Sequence, residues 1–265
     1  MPTCQYKDLP VYFTDVGKGP AVVLIHGFLE SSTMWDAYSA FFATRYRVIC
    51  IDLFGHGKTG NLGYVHSMEE MADAVKTVLN HLRLKRCVMI GHSMGGYVAL
   101  AFAEAFPKML RGLCLFYSTA QADDAERKEL RLRAVEVVKQ NYKTFIKSTI
   151  PGLFASENLK TYQKEIAALI NEALQMSPQG IVAALMGMRE RKDREDLLTH
   201  GTYPVCIIYG KQDGRITVDS LQSQLAAPNV LFKLETPHGH MGHIEDAQEC
   251  LTYLDYFIAT VTKRA

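Results

Sequence analysis

What this sequence lacks narrows its possible roles before any motif is read. No apolar run reaches the roughly 18 residues that a membrane-crossing helix needs, so no membrane partner is expected. The first 13 residues, MPTCQYKDLPVYF, have no apolar signal core, which gives the expectation of a cytoplasmic protein. Neither charge is in excess: 29 Lys plus Arg face 28 Asp plus Glu. A nucleic-acid footprint would need a strong basic surplus, so nucleic acid is not an expected partner. None of the six cysteines stands in a C-x-x-C pair. Four of them, Cys50, Cys87, Cys114 and Cys206, fall in apolar runs, where free Cys behaves as a small hydrophobe. A disulfide or zinc framework is therefore not expected. There is no internal repeat and no low-complexity tract.

What remains is a 265-residue chain that is 48% hydrophobic. That suffices for one large core with an inserted subdomain. Short apolar runs recur between Gly, Pro and Asp: AVVLIHG, RVICIDLFG, RCVMIGHS, RGLCLFYS, PVCIIYGKQD and VLFKLE. They are continuous rather than alternating, as strands buried on both faces of a parallel sheet are. Helical stretches lie between them. One, SMEEMADAVKTVLNHL, opens with Ser67 three residues before Glu70, a capping box. Strand, helix, strand, helix is the pattern of an open α/β sheet with right-handed crossovers. Residues 121–198 break that rhythm. They carry no strand signal and read as three or four helices interrupted at Pro151, Gly152 and Pro178. Two apolar ridges are expected there, Leu130, Ala134, Val137 and Val138 in the first and Ile166, Ile170 and Leu174 in the next.

The stretch CVMIGHSMGGYVALAFAEAF begins as a buried strand and ends as an alanine-rich helix. Gly91-His92-Ser93-Met94-Gly95 between them fits G-x-S-x-G, a sharp turn that lifts a serine hydroxyl clear of the sheet. In parallel sheets the reactive loops gather beyond the carboxyl ends of the strands. A serine nucleophile needs a base, and the base needs an orienting acid. Asp213 follows one strand directly, whereas Asp219 and the pair Glu245-Asp246 do not, and His238, His240 and His243 share the loop after the next strand. The His26-Gly27 turn can aim the Phe28 N–H at the serine, and with the Met94 N–H it would form an oxyanion hole.

Five motifs stand in order at strand ends: His26-Gly27-Phe28, Asp52-Leu53-Phe54-Gly55-His56-Gly57, Gly91-His92-Ser93-Met94-Gly95-Gly96, Gly210-Lys211-Gln212-Asp213 and Gly239-His240. With these the sequence resembles the α/β-hydrolases over essentially its whole length. The resemblance implies a mostly parallel, twisted sheet of about eight strands flanked by helices. Residues 1–120 and 199–265 would form that core, and residues 121–198 a helical cap over the site. The order Ser93, Asp213, His240 is the family's order of nucleophile, acid and base. The family's Gly-His is followed a few residues later by an acidic residue, which matches Gly239-His240 with Glu245 and selects His240 over His243. Haloalkane dehalogenases and epoxide hydrolases of this fold use a carboxylate where Ser93 stands, so their alkyl-enzyme chemistry is excluded.

The expected function is cleavage of a small carboxylic ester, or a related acyl compound, through an acyl-enzyme on Ser93. It needs no cofactor. A metal at His238, His240 and His243 is not expected, because no carboxylate or Cys set clearly completes that cluster. Gly57-Lys58-Thr59 is the tail of a phosphate-binding loop without its head, since Asp52 stands where a glycine is required. His56 reads as a structural loop histidine and His26 as a shaper of the oxyanion loop. Residues 127–147 hold seven Lys or Arg and two Glu, which reads as a solvated helix face before it reads as an anion site. Met176, Met186 and Met188 are read as core residues or pocket walls. Two other uses of the fold fit the same residues. One is a carbon–carbon lyase like that of the menaquinone pathway, which a carboxylate-clamping arginine pair in the cap would favour; the sequence places no such pair. The other is a small-molecule receptor that keeps the triad.

Overall fold

Eight strands form one sheet in the computed structural model, which describes residues 2–263. They are β1 (Thr3–Tyr6), β2 (Leu9–Gly17), β3 (Ala21–Ile25), β4 (Arg47–Ile51), β5 (Cys87–His92), β6 (Leu110–Phe116), β7 (Val205–Gly210) and β8 (Val230–Thr236). Their order is β1-β2-β4-β3-β5-β6-β7-β8. β2 pairs antiparallel with both β1 and β4, and every pair from β4 to β8 is parallel. The expected α/β fold, a mostly parallel sheet of about eight strands flanked by helices, is therefore present.

The helices are α1 (Asp36–Phe42), α2 (Met68–His81), α3 (Met94–Ala105), α4 (Ala125–Thr149), α5 (Gln163–Ala173), α6 (Pro178–Glu190), α7 (Asp196–His200), α8 (Val218–Leu225), α9 (Gly242–Glu245) and α10 (Ala247–Lys263). The central strands are buried on both faces, and period-2 alternation sends their side chains to two cores. Val22, Leu24, Val88 and Ile90 pack with Trp35, Phe42 and Phe257 on the side of α1 and α10. Val23, Ile25, Cys87 and Met89 pack with residues of α2, α3 and the long excursion after β6 on the other. All six cysteines are buried free thiols. Ser67 accepts from the Glu70 amide at 3.2 Å and caps α2, but the Glu70 carboxylate turns outward to Lys7 instead of closing the capping box.

Between β6 and β7 the chain runs through α4–α7 and two short 3-10 turns without a strand. α4 breaks at Asn141 (φ −158°, ψ 84°). The Asn141 side chain accepts from the Thr144 amide at 3.1 Å, so it acts as an N-cap for the restarted helix. Val135 and Val138 are the buried pair, while Val137 and Leu130 are exposed; the expected ridge through Val137 is corrected accordingly. In α5, Ile166 is buried and Ile170 is half-buried. α6 sits directly on the loop before α2, because a side chain at Gly187 would collide with the His66 carbonyl. That contact is closed by a bond from the His66 amide to the Ala183 carbonyl at 3.0 Å. Among the described residues no helix is long and apolar enough to cross a membrane.

Candidate active site

β5 ends at His92, α3 begins at Met94, and Ser93 is the single residue between them. Its backbone lies at φ 48°, ψ −114°, a region that costs a residue with a Cβ about 1–3 kcal/mol. Four bonds hold it there, the longest from the Tyr97 amide to the Ser93 carbonyl at 3.4 Å. The Ser93 amide donates to the Phe116 carbonyl at 3.0 Å, and the Ser93 carbonyl accepts from the Gly96 amide at 2.9 Å and from the Ser118 hydroxyl at 2.7 Å. Gly95 permits the tight approach, since a Cβ there would overlap the Ile25 and His26 carbonyls at the end of β3. The loop carrying Phe28 is thereby brought against the start of α3. Neither the Phe28 nor the Met94 amide donates to a protein acceptor among the described residues.

Ser93 and His240 line one cavity of about 290 Å³. Its floor also includes His92, and Phe28 forms part of a wall. Residues of the α4–α6 excursion cover it, among them Ala134, Phe145, Leu153, Leu185 and Met188. Met176 and Met186 belong to the core instead. The Leu153 carbonyl accepts from the His240 amide at 2.8 Å, which ties the covering segment to the histidine loop.

The three histidines of that loop go to three different carboxylates. His240 Nδ1 meets Asp213 Oδ2 at 2.7 Å, His238 Nδ1 meets Asp246 Oδ1 at 2.6 Å, and His243 Nε2 lies 3.6 Å from Glu30 Oε1. They cannot act as one metal cluster in this arrangement. Of the acids weighed from the sequence, only Asp213 reaches His240. Asp246 holds His238, and Glu245 accepts from the amides of Gly239 and Ala155 and from Asn158. Asp213 Oδ1 also accepts from the amides of Arg215 at 2.7 Å and Ile216 at 3.0 Å. Burial works against the Asp213 charge, but His240 and these amides outweigh it and hold the carboxyl below its usual range. A carboxylate at Nδ1 fixes the proton on that nitrogen and leaves Nε2 as the acceptor.

Beneath the cavity lies a buried pair that sequence reasoning missed. His92 Nδ1 is 2.7 Å from Glu30 Oε2, and His92 Nε2 is 3.1 Å from the His240 carbonyl. Both ring nitrogens face acceptors, so both carry protons and His92 is an imidazolium. Burial opposes that charge, but Glu30 overrides it and raises the His92 pKa. In turn, against its own burial, Glu30 is lowered to about 2, chiefly by His92. Glu30 Oε2 also accepts from the Gly27 amide at 2.8 Å. One ion pair thus fastens the Phe28 loop, the serine turn and the backbone of His240. Glu30, His92 and His243 offer ligand atoms within 4.8 Å of one another and are the group here that could hold a metal ion. Doing so would require His92 to give up one of its two acceptors. Nothing in the sequence signals this pairing, because Glu30 and His92 are 62 residues apart and outside any shared motif.

The remaining loop histidines are structural. His26 donates from Nδ1 to the Gly27 carbonyl at 2.7 Å and accepts at Nε2 from the Leu53 amide at 2.9 Å. Asp52 accepts from the amides of Ser32 and Lys58 at 2.7 Å each, which leaves the Gly57-Lys58-Thr59 turn packed on a carboxylate rather than open to a phosphate. Burial pushes His56 down to about 3, and His66 and His243 down to about 4. In the unfolded chain each would titrate near 6.5. As pH falls below 6.5 the unfolded state takes protons that the folded state refuses until about 4, so this stability is complete above 6.5 and is lost on the way down. His92, raised instead, contributes below 6.5 and loses its contribution as pH rises. Each depressed histidine is worth up to about 1.4 kcal/mol per pH unit. Three together would exhaust a typical domain's stability within a few pH units. The urea midpoint is therefore expected to fall steeply from pH 7 to pH 5; a flat midpoint over that range would show that these histidines are not buried neutral.

Comparison with known proteins comes to the same architecture. Residues 20–125 match the family model described as alpha/beta hydrolase fold. A thermophilic esterase from Thermogutta terrifontis, determined with malate bound, superposes with a TM-score of 0.91 and 32% identity, over 98% of this chain and 97% of that one. The enol-lactonase from Burkholderia xenovorans superposes with a TM-score of 0.90 at 17% identity, over 97% and 100% of the two chains. An uncharacterised protein of Mycobacterium tuberculosis is 38% identical over 117 residues, which are 43% of this chain and 34% of that protein. The matched region thus spans about a third of the length of the first curated relatives.

Proposed function

The chain belongs to the α/β-hydrolase fold family, and from that premise we propose that it is a serine hydrolase cleaving a small carboxylic ester through an acyl-enzyme on Ser93. The observation that carries this reading is the 2.7 Å bond between Asp213 and His240, with His240 and Ser93 lining one cavity. Ser93 Oγ attacks the carbonyl carbon, and His240 Nε2 takes its proton. The tetrahedral oxyanion is held by the Phe28 and Met94 amides, each worth about 3–4 kcal/mol to such a transition state. His240 then passes the proton to the leaving alcohol. Water deprotonated by the same nitrogen releases the acid, and Asp213 stabilises the imidazolium throughout. No cofactor enters. Residues 121–198 act as the cap. The 32% identical esterase relative supports the reading.

A cavity of about 290 Å³ under a helical roof suits a compact substrate. For p-nitrophenyl esters, kcat/KM is expected to fall once the acyl chain passes medium length, because further methylenes must be overpacked rather than buried. A pre-steady-state burst of p-nitrophenol equal to the enzyme concentration should accompany turnover. A rise through long chains, or activation at a lipid–water interface, would make residues 121–198 a mobile lid instead. A second reading, carbon–carbon cleavage, gains from two cap arginines, Arg127 and Arg131, that line the cavity. It predicts no burst with simple esters.

A further inference from the structure

The roof of the cavity is one face of α4. Arg127, Leu130, Arg131 and Ala134 line it at spacings of three, four and seven residues from the first, which is a single helix stripe. Arg133, Lys139, Lys143 and Lys147 are exposed, and two of them pair along the helix surface, Arg133 with Glu129 and Lys139 with Glu136. The expectation of a solvated basic face therefore holds for those residues and fails for Arg127 and Arg131. A third arginine comes from the core. Arg215 lines the same cavity. Its amide is fastened to Asp213, and its side chain is exposed, with one guanidinium nitrogen beside Gly152.

The charges around the cavity do not balance. Among the described residues Glu30 is the only Asp or Glu lining it, and it is committed to His92. Arg131 is bonded to Asp123, but Asp123 is shared with Arg191, whose Nη1 lies 2.7 Å away. Arg191 in turn lies over the ring of Tyr97, a cavity wall, at 4.1 Å. Among the described residues, Arg127 and Arg215 have no ion-pair partner. Apolar residues also line the cavity: Ala134, Phe145, Leu153 and Ile216, with the exposed Leu130. Guanidinium groups fit carboxylates in a bidentate fork.

We propose that Arg127, Arg131 and Arg215 form a subsite for a free carboxylate on the substrate, so that the preferred ester is anionic, with its scissile carbonyl at Ser93 and its carboxylate under α4. A hemi-ester of a short dicarboxylic acid has this form. This rests on the hydrolase reading of Ser93 and deepens it. The carboxylate is bound and not consumed, so the bonds made and broken at Ser93 are unchanged.

The test compares two pairs of esters of matched size. Mono-p-nitrophenyl glutarate against p-nitrophenyl valerate places the charge on the acyl side; 3-carboxyphenyl against phenyl valerate places it on the alcohol side. In at least one pair kcat/KM should favour the anionic ester by about tenfold or more after correction for intrinsic reactivity. That preference should shrink as salt is raised from 20 to 500 mM, which shortens the Debye length about fivefold. In Arg127→Gln and in Arg215→Gln the anionic-to-neutral ratio should drop about tenfold, with partial recovery in Arg127→Lys. Arg127 makes no ion pair to lose, so its variant tests recognition rather than folding. Turnover of the neutral esters with no anionic preference in either pair, or a ratio unmoved in both Gln variants, would overturn the subsite and leave the hydrolase standing. Turnover of no ester at all would overturn both.

Discussion

Ser93→Ala is expected to lower kcat for the preferred ester on the order of 10⁶-fold, to the residual rate that binding and oxyanion donors sustain alone. The size follows from the role: with no hydroxyl there is no acyl-enzyme, and His240 and Asp213 have nothing to activate. The variant keeps a Cβ at φ 48°, ψ −114° and every backbone bond that holds the turn. Its melting temperature should therefore stay close to that of the parent, so lost activity would not reflect lost structure. Turnover within tenfold of the parent would move the nucleophile elsewhere.

Asp213→Asn is expected to cost about 10⁴-fold in kcat. The amide keeps the shape of the carboxylate, and the bonds from Arg215 and Ile216 can persist through its oxygen. Its NH₂ group would then face His240 Nδ1, favour the wrong tautomer and turn an N–H toward Ser93 where a lone pair is needed. His240→Ala should be as damaging as Ser93→Ala. His238→Ala should not be, since His238 is half-buried and bound to Asp246 rather than Asp213. Activity that survives His240→Ala and disappears in His243→Ala would transfer the base to the residue facing Glu30. A chelator that abolished turnover, with zinc restoring it, would make Glu30, His92 and His243 a metal centre.

The central strands were legible because burial on both faces leaves continuous apolar runs such as AVVLI and CVMI. β1 and β2 left no such signal. β1 alternates, with Cys4 and Tyr6 inward and Thr3 and Gln5 outward, and β2 buries only Val11, Tyr12 and Phe13 in a row, flanked by Pro10, Asp15 and Gly17. Asp213 and His240 were legible from their places after β7 and β8. That the three loop histidines divide among Asp213, Asp246 and Glu30 was not, because it depends on how the short α9 turns the loop. The Glu30–His92 pair was invisible for a related reason: it joins the ends of β3 and β5, and only the parallel register brings them together. In α4 the packing of Val135 and Val138 sets which side of the helix faces inward. Helical spacing alone gives a stripe but not its direction.

The proposed nucleophile is Ser93, activated by His240 and Asp213. It is tested most directly by treating the protein with a fluorophosphonate and mapping the adduct by mass spectrometry of the peptide containing Gly91–Gly95. One stoichiometric adduct is expected on Ser93 in the parent, none on that peptide in Ser93→Ala, and labelling slowed by orders of magnitude in Asp213→Asn and His240→Ala. An adduct on another serine, or equal labelling rates in the parent and in His240→Ala, would contradict it.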